Sequence, residues 1–95
     1  MRKYEITFII RPDMEEKEIK ATADSLKKIL KADKAKIVSE NEAGQKELAY
    51  EINKFQSGYY FFLEVEANIE AINEFDRVVK INENLLRHLI VKVEE

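Results

Sequence analysis

From Tyr4 to Arg11 the chain alternates, with Tyr4, Ile6, Phe8 and Ile10 on one side and Glu5, Thr7, Ile9 and Arg11 on the other. That period of two predicts a first strand. Pro12 has no N–H for a ladder and Asp13 suits a helix cap, so the strand is expected to stop there and a helix to begin within a few residues. The helix shows as Ile19, Ala23, Leu26, Ile29 and Leu30 recurring at three and four. Glu15, Glu16 and Glu18 open it and Lys27, Lys28 and Lys31 close it, both in the sense that the helix dipole favours.

After Ala32-Asp33-Lys34, the stretches Ala35 to Glu40 and Leu48 to Ile52 read as one long second strand, bent or bulged near Gly44. Asn53 to Gly58 is expected to be a loop, and Tyr59 to Glu66, the most apolar run of the chain, a third strand. Ile69, Ile72, Phe75, Val78 and Val79 form a second helical stripe with Asn68 as its cap, and Leu85 to Val93 a fourth strand. The order β-α-β-β-α-β predicts an α+β, ferredoxin-like sandwich over residues 1–95 as one domain. Its antiparallel sheet has strand order 4-1-3-2 and both helices on one face. The second strand then lies on an edge, where Lys36, Glu40, Glu42, Lys46 and Glu47 discourage pairing with other chains.

Phase matters most in the third strand. If Tyr59, Phe61, Leu63, Val65 and Ala67 face the core, Tyr60 and Phe62 point to the uncovered side of the sheet, followed by Glu64 and Glu66. Adjacent aromatics on an open face mark a binding surface. The RNA-recognition motif has this topology and stacks bases there. Here Gln56-Ser57-Gly58-Tyr59 lacks the basic residue before the glycine, and Glu64 stands where an aromatic belongs. Protein contact by Tyr60 and Phe62 is therefore the better reading, with partial cover by a loop or tail as the alternative.

Charge and composition narrow the chemistry. With 16 basic and 19 acidic residues the net charge is -3, so any RNA contact must come from a local patch. Arg2, Lys3, Lys46, Lys54, Arg87 and Lys92 are the candidate cations, with Arg2, Arg87 and Lys92 expected along one border of the sheet. There is no cysteine, and His88 is the only histidine, which leaves metal or triad chemistry nothing to build on; His88 reads as a strand residue packed at a sheet face. Two glycines cannot form a phosphate-cradling loop. Acylphosphatases share the topology and place an arginine at the first strand-helix turn, but Arg11-Pro12-Asp13 has no glycine-rich cradle beside it. The carboxylates read as solvated, and neither a signal peptide nor a membrane span is expected.

Met1-Arg2-Lys3-Tyr4-Glu5, Leu48-Ala49-Tyr50-Glu51-Ile52-Asn53-Lys54 followed by Gly58-Tyr59, and Leu86-Arg87-His88-Leu89-Ile90-Val91-Lys92 resemble, in the same order, the bacterial small-subunit ribosomal protein six family. The resemblance implies a non-enzymatic, cytoplasmic component of the ribosome. Such a protein forms a heterodimer with ribosomal protein eighteen on the central domain of the small-subunit ribosomal RNA, without cofactor, small-molecule substrate or membrane. Arg2, Lys46, Arg87 and Lys92 match basic positions of the family, and Tyr60 and Phe62 its outward aromatics. Leu89 and Val91 join those aromatics as candidates for the protein side. Where members often carry arginines after the mid-chain glycine, this chain has Gln45-Lys46-Glu47. A protein-interaction or regulatory module acting off the ribosome is the second reading.

Overall fold

A computed structural model describes residues 2–52 and 54–93. The elements run β1 (Arg2–Ile10), α1 (Glu16–Ala32), β2 (Lys36–Ile52), β3 (Phe55–Ala67), α2 (Ile69–Lys80) and β4 (Leu85–Lys92). The sheet order is β2-β3-β1-β4 with every pairing antiparallel, which is the expected 4-1-3-2 arrangement. Tyr4, Ile6, Phe8 and Ile10 of β1 and Phe61, Leu63, Val65 and Ala67 of β3 are buried, joined by Ile19, Leu26 and Leu30 of α1 and Ile72, Phe75 and Val79 of α2. The third strand therefore has the predicted phase, and Phe8 and Phe61 stack across the strand pair at 5.2 Å between ring centroids.

Both helices begin without the expected side-chain caps. Asp13 stands apart from the first turn of α1 because Arg11 holds its carboxylate, and α1 starts instead from Glu15, whose carbonyl accepts from the N–H groups of Glu18 and Ile19. Asn68 occupies the cap position of α2, but only its backbone carbonyl is used. Ile69, assigned to the core stripe by spacing, is exposed at that first turn, where the helix has not yet come over the sheet. At the other end of α1, the Lys34 N–H donates to Lys31 O and the Ala35 N–H to Leu30 O, both at 3.0 Å, which closes the helix as a Schellman turn. Lys34 takes the left-handed conformation, φ 67°, where glycine is the usual choice.

β2 departs from regular pairing three times. Val38 and Ala43 are each one residue more than β3 has to offer, and Gly44 follows the second bulge at φ 85°. Between the bulges the phase is inverted, so Glu40 falls on the helix side and accepts from Lys27 Nζ of α1 at 3.0 Å. The third irregularity is larger: β2 advances from Glu47 to Ile52 while β3 retreats only from Ser57 to Phe55. The surplus chain, Leu48 to Glu51, forms an arch. The expected loop from Asn53 to Gly58 is shorter than predicted, since β3 begins at Phe55 and Lys54, at φ 69°, turns the chain; Asn53 lies outside the described residues.

Candidate nucleic-acid and partner interface

Directly opposed residues of neighbouring strands share a face, so the register maps the uncovered side of the sheet. One row reads Asn41, Phe62, Thr7, Leu89; on one side of it lies Gly44, Tyr60, Ile9, Arg87, and on the other Ser39, Glu64, Glu5, Val91. The four candidates for protein contact, Tyr60, Phe62, Leu89 and Val91, are thus brought together on one surface. Tyr60 and Phe62 are half-buried with their rings 6.3 Å apart, whereas Leu89 is 58% and Val91 44% exposed. Exposed apolar groups beside aromatics, with no element of the fold over them, are what an interface looks like before its partner arrives.

The candidate cations do not gather in one place. Lys46 and Arg87 lie on the open face, each against an aromatic ring: Lys46 Nζ is 6.0 Å from the Phe62 centroid and the Arg87 guanidinium 5.1 Å from that of Tyr50. Lys3 lies on the same face, where its ammonium is 3.4 Å from the Glu64 carboxylate. Lys54 sits at the turn of the β2-β3 hairpin. Arg2 and Lys92 are opposed to the core-facing Ala67 and Tyr4, so they emerge on the helix side, in a groove of about 730 Å³ shared with Asn68, Ile69 and Asn73 at the start of α2. The expected single border of Arg2, Arg87 and Lys92 is therefore divided, because Arg87 is on the opposite face from the other two.

Other charges are occupied. Arg11 donates through Nε and Nη2 to the two oxygens of Asp13, at 2.8 and 2.9 Å. This fork holds the Asp13 carboxyl below and the Arg11 guanidinium above their ordinary ranges. Arg11 presents no open anion loop, and its guanidinium instead lies 5.4 Å from the Phe55 centroid. His88 packs at the helix-covered face, opposed to Phe8, with Nε2 2.7 Å from Asp76 Oδ1. The Lys80 ammonium and then the His88 ring hold the Asp76 carboxyl below the usual range. Among the described residues no cluster of His, Asp and Glu is arranged to hold a metal ion, and no helix is long and apolar enough to cross a membrane.

No alternation or charge pattern singles out Tyr50, because its contact with Arg87 is made through the arch. The signal was the surplus length between Gly44 and Gly58, which a regular hairpin does not need.

A sheet roofed by helices on one side and presenting aromatic, aliphatic and cationic side chains on the other defines a ferredoxin-like binding domain. The family described as Ribosomal protein S6 matches residues 3–92. The fold superposes on the crystal structure of 30S ribosomal protein S6 from Thermotoga maritima with a TM-score of 0.93 and 28% identity, covering 97% of this chain and 87% of that one. A dabb family protein with a ferredoxin-like fold from Mesorhizobium loti is 16% identical at a TM-score of 0.45, covering 100% of this chain and 98% of that one. The chain belongs to the ribosomal protein S6 family, proteins of the small ribosomal subunit.

Proposed function

We propose that this chain is a structural, non-catalytic constituent of the small ribosomal subunit that binds the central domain of its ribosomal RNA together with ribosomal protein eighteen. The observation that carries this is the division of the open face. Phe62, Leu89 and Val91 form an apolar middle fit for a protein, and Lys46 and Arg87 bring cations to the hairpin end of the same surface. The acidic side chains Glu5 and Glu64 beside Val91 suit a basic partner, which supplies charge that this chain, at -3, lacks. The partner docks on the apolar rows, and the cations at the rim meet phosphate.

Mixing the full chain, the partner and a central-domain RNA transcript tests this. RNA retention is expected only when both proteins are present. Equal binding by this chain alone overturns the joint mechanism, and failure to co-sediment with small subunits at low salt overturns the ribosomal role.

A further inference from the structure

Most cations of this chain that make a directed contact have a carboxylate as partner: Lys3 with Glu64, Arg11 with Asp13, Lys27 with Glu40 and Lys80 with Asp76. Arg87 differs. Among the described residues it makes no ion pair, and its guanidinium lies instead over the ring of Tyr50, a side chain 55% exposed and outside the core cluster. The arch that carries Tyr50 is tied down beside it: Arg11 lies over Phe55 of the same hairpin, and Gln45 Nε2 donates to Ser57 Oγ at 3.0 Å. An exposed tyrosine is thus held over a strand that is not its sequence neighbour, at the cost of ordering the arch.

We infer that Tyr50 and Arg87 together form a binding site for one unpaired RNA nucleotide, the base stacking on the outward face of the tyrosine ring and the phosphate taken by Arg87. Held 5.1 Å from the ring and away from any carboxylate among the described residues, the guanidinium keeps its N–H donors for a phosphate, whose oxygens it can grip in pairs. The ring face turned away from Arg87 is the sequence-tolerant platform that single-stranded nucleic acids use. A paired helix would not fit this use, because its bases are already stacked. An acidic protein segment would use Arg87 but would draw nothing from the free face of the ring. The site rests on the RNA-binding reading above and adds to it a particular nucleotide conformation and a residue, Tyr50, that stacks the base.

The test titrates a central-domain transcript with the full chain and its partner at several salt concentrations, using Tyr50→Phe, Tyr50→Leu and Arg87→Ser. Tyr50→Phe keeps the ring and is expected to bind like the parent. Tyr50→Leu is expected to lose about tenfold in affinity with the slope of log K against log salt unchanged, since a stacked base carries no counterion. Arg87→Ser is expected to weaken binding and make that slope shallower by about 0.7, the value for one single-strand phosphate. Ultraviolet crosslinking of the unmodified complex, which needs no variant to fold, is expected to join Tyr50 to RNA. Parental affinity in Tyr50→Leu, or a crosslink map without Tyr50, overturns the site while leaving RNA binding in place. A loss in Tyr50→Leu that appears in the protein-protein complex without RNA assigns the arch to the partner and also overturns it. No binding by the parent proteins overturns the RNA reading itself.

Discussion

The two faces of the sheet put apolar side chains to very different ends. Ile6 and Phe8 point under the helices and are 0% exposed, in one buried cluster with residues of α1, α2 and β3. On the reverse, Thr7 sits between Phe62 and Leu89 on a surface that no other element covers, where Leu89 remains 58% exposed. Ile9 is the exception on that side. It is 7% exposed because Gly58, Tyr60 and the hairpin end close around it. The packed face derives its apolar residues from the need for a core, whereas the open face holds apolar residues that the isolated fold does not need. Retaining them is a cost in solubility that the proposed docking of a partner would offset.

If the packed face is where stability resides, the largest effect belongs to its centre. Phe8→Ala removes a ring with 0% exposure that stacks on Phe61, and relaxation around it is limited by both helices. A loss of about 3–5 kcal/mol is expected in urea unfolding. That is a large part of the total stability of a domain this size. A loss below about 1 kcal/mol would mean that the core is not where the burial pattern places it.

Next in size is the one place where the open face is packed as tightly as the core. A Cβ built on Gly58 overlaps Cγ2 of Ile9 and meets the Ile10 carbonyl and Leu86 Cδ1 within ordinary contact range. The branch on Ile9 stands close to the backbone and cannot swing away as a long side chain would. Gly58→Ala is expected to cost about 1–3 kcal/mol. In an Ile9→Ala background the same substitution is expected to cost clearly less, and a double-mutant cycle reads the coupling. Purely additive costs would show that Ile9 is not what fills the space.

Much of this division was legible in the sequence. The alternation of Tyr4 to Arg11 and the run from Tyr59 to Glu66 set the strand phases, and the recurrence of Leu26 and Leu30 or Ile72 and Phe75 set the helices, because burial on one side leaves a period. Gly44 was readable as a bulge, since the chain has only two glycines and a strand tolerates one poorly. The turn at Lys54 was not, because a lysine at φ 69° carries none of the Asn-Gly signature of tight hairpins. Asp13 looked like a cap until Arg11, two residues away, turned out to hold it. Of the open face, the aromatics were predictable from phase, but Tyr50 over Arg87 depends on how far the arch bends, and no local pattern encodes that. The separation of Arg2 and Lys92 from Arg87 follows from register, as Arg2 and Lys92 oppose core-facing residues and Arg87 opposes Ile9.

A smaller effect tests the helix-covered face at its rim, where His88 of β4 meets Asp76 of α2, which Lys80 also contacts at 2.8 Å. The carboxyl is held below its ordinary value in the folded chain, so these contacts stabilise the fold above the unfolded carboxylate pKa of about 3.9. That contribution is lost as the pH falls through the lower, folded value. Asp76→Asn is therefore expected to melt slightly below the parent at neutral pH, by less than Gly58→Ala because the pair is partly solvated. The gap should close on acidification. A gap that persists unchanged to about pH 2 would mean that packing, and not charge, accounts for it.

The smallest effect on stability is expected at Leu89, and it bears most directly on the contrast between the faces. Leu89 and Ile90 are neighbours on β4, yet Ile90 opposes Ile6 and packs against the core while Leu89 opposes Thr7 in the open. Ile90→Ser should lower stability measurably, as any loss of apolar contact with a packed cluster does. Leu89→Ser should leave urea unfolding within about 0.5 kcal/mol of the parent, because the leucine gives up little on folding that serine does not. The same substitution should weaken the complex with the partner protein by more than about 1 kcal/mol, since Leu89 lies in the row with Phe62 at the middle of the apolar patch. If Leu89→Ser unfolds as readily as Ile90→Ser, the open face is covered in the folded chain. If it binds the partner normally, the patch serves something else. Only unchanged folding with impaired binding fits a face whose apolar residues await a partner.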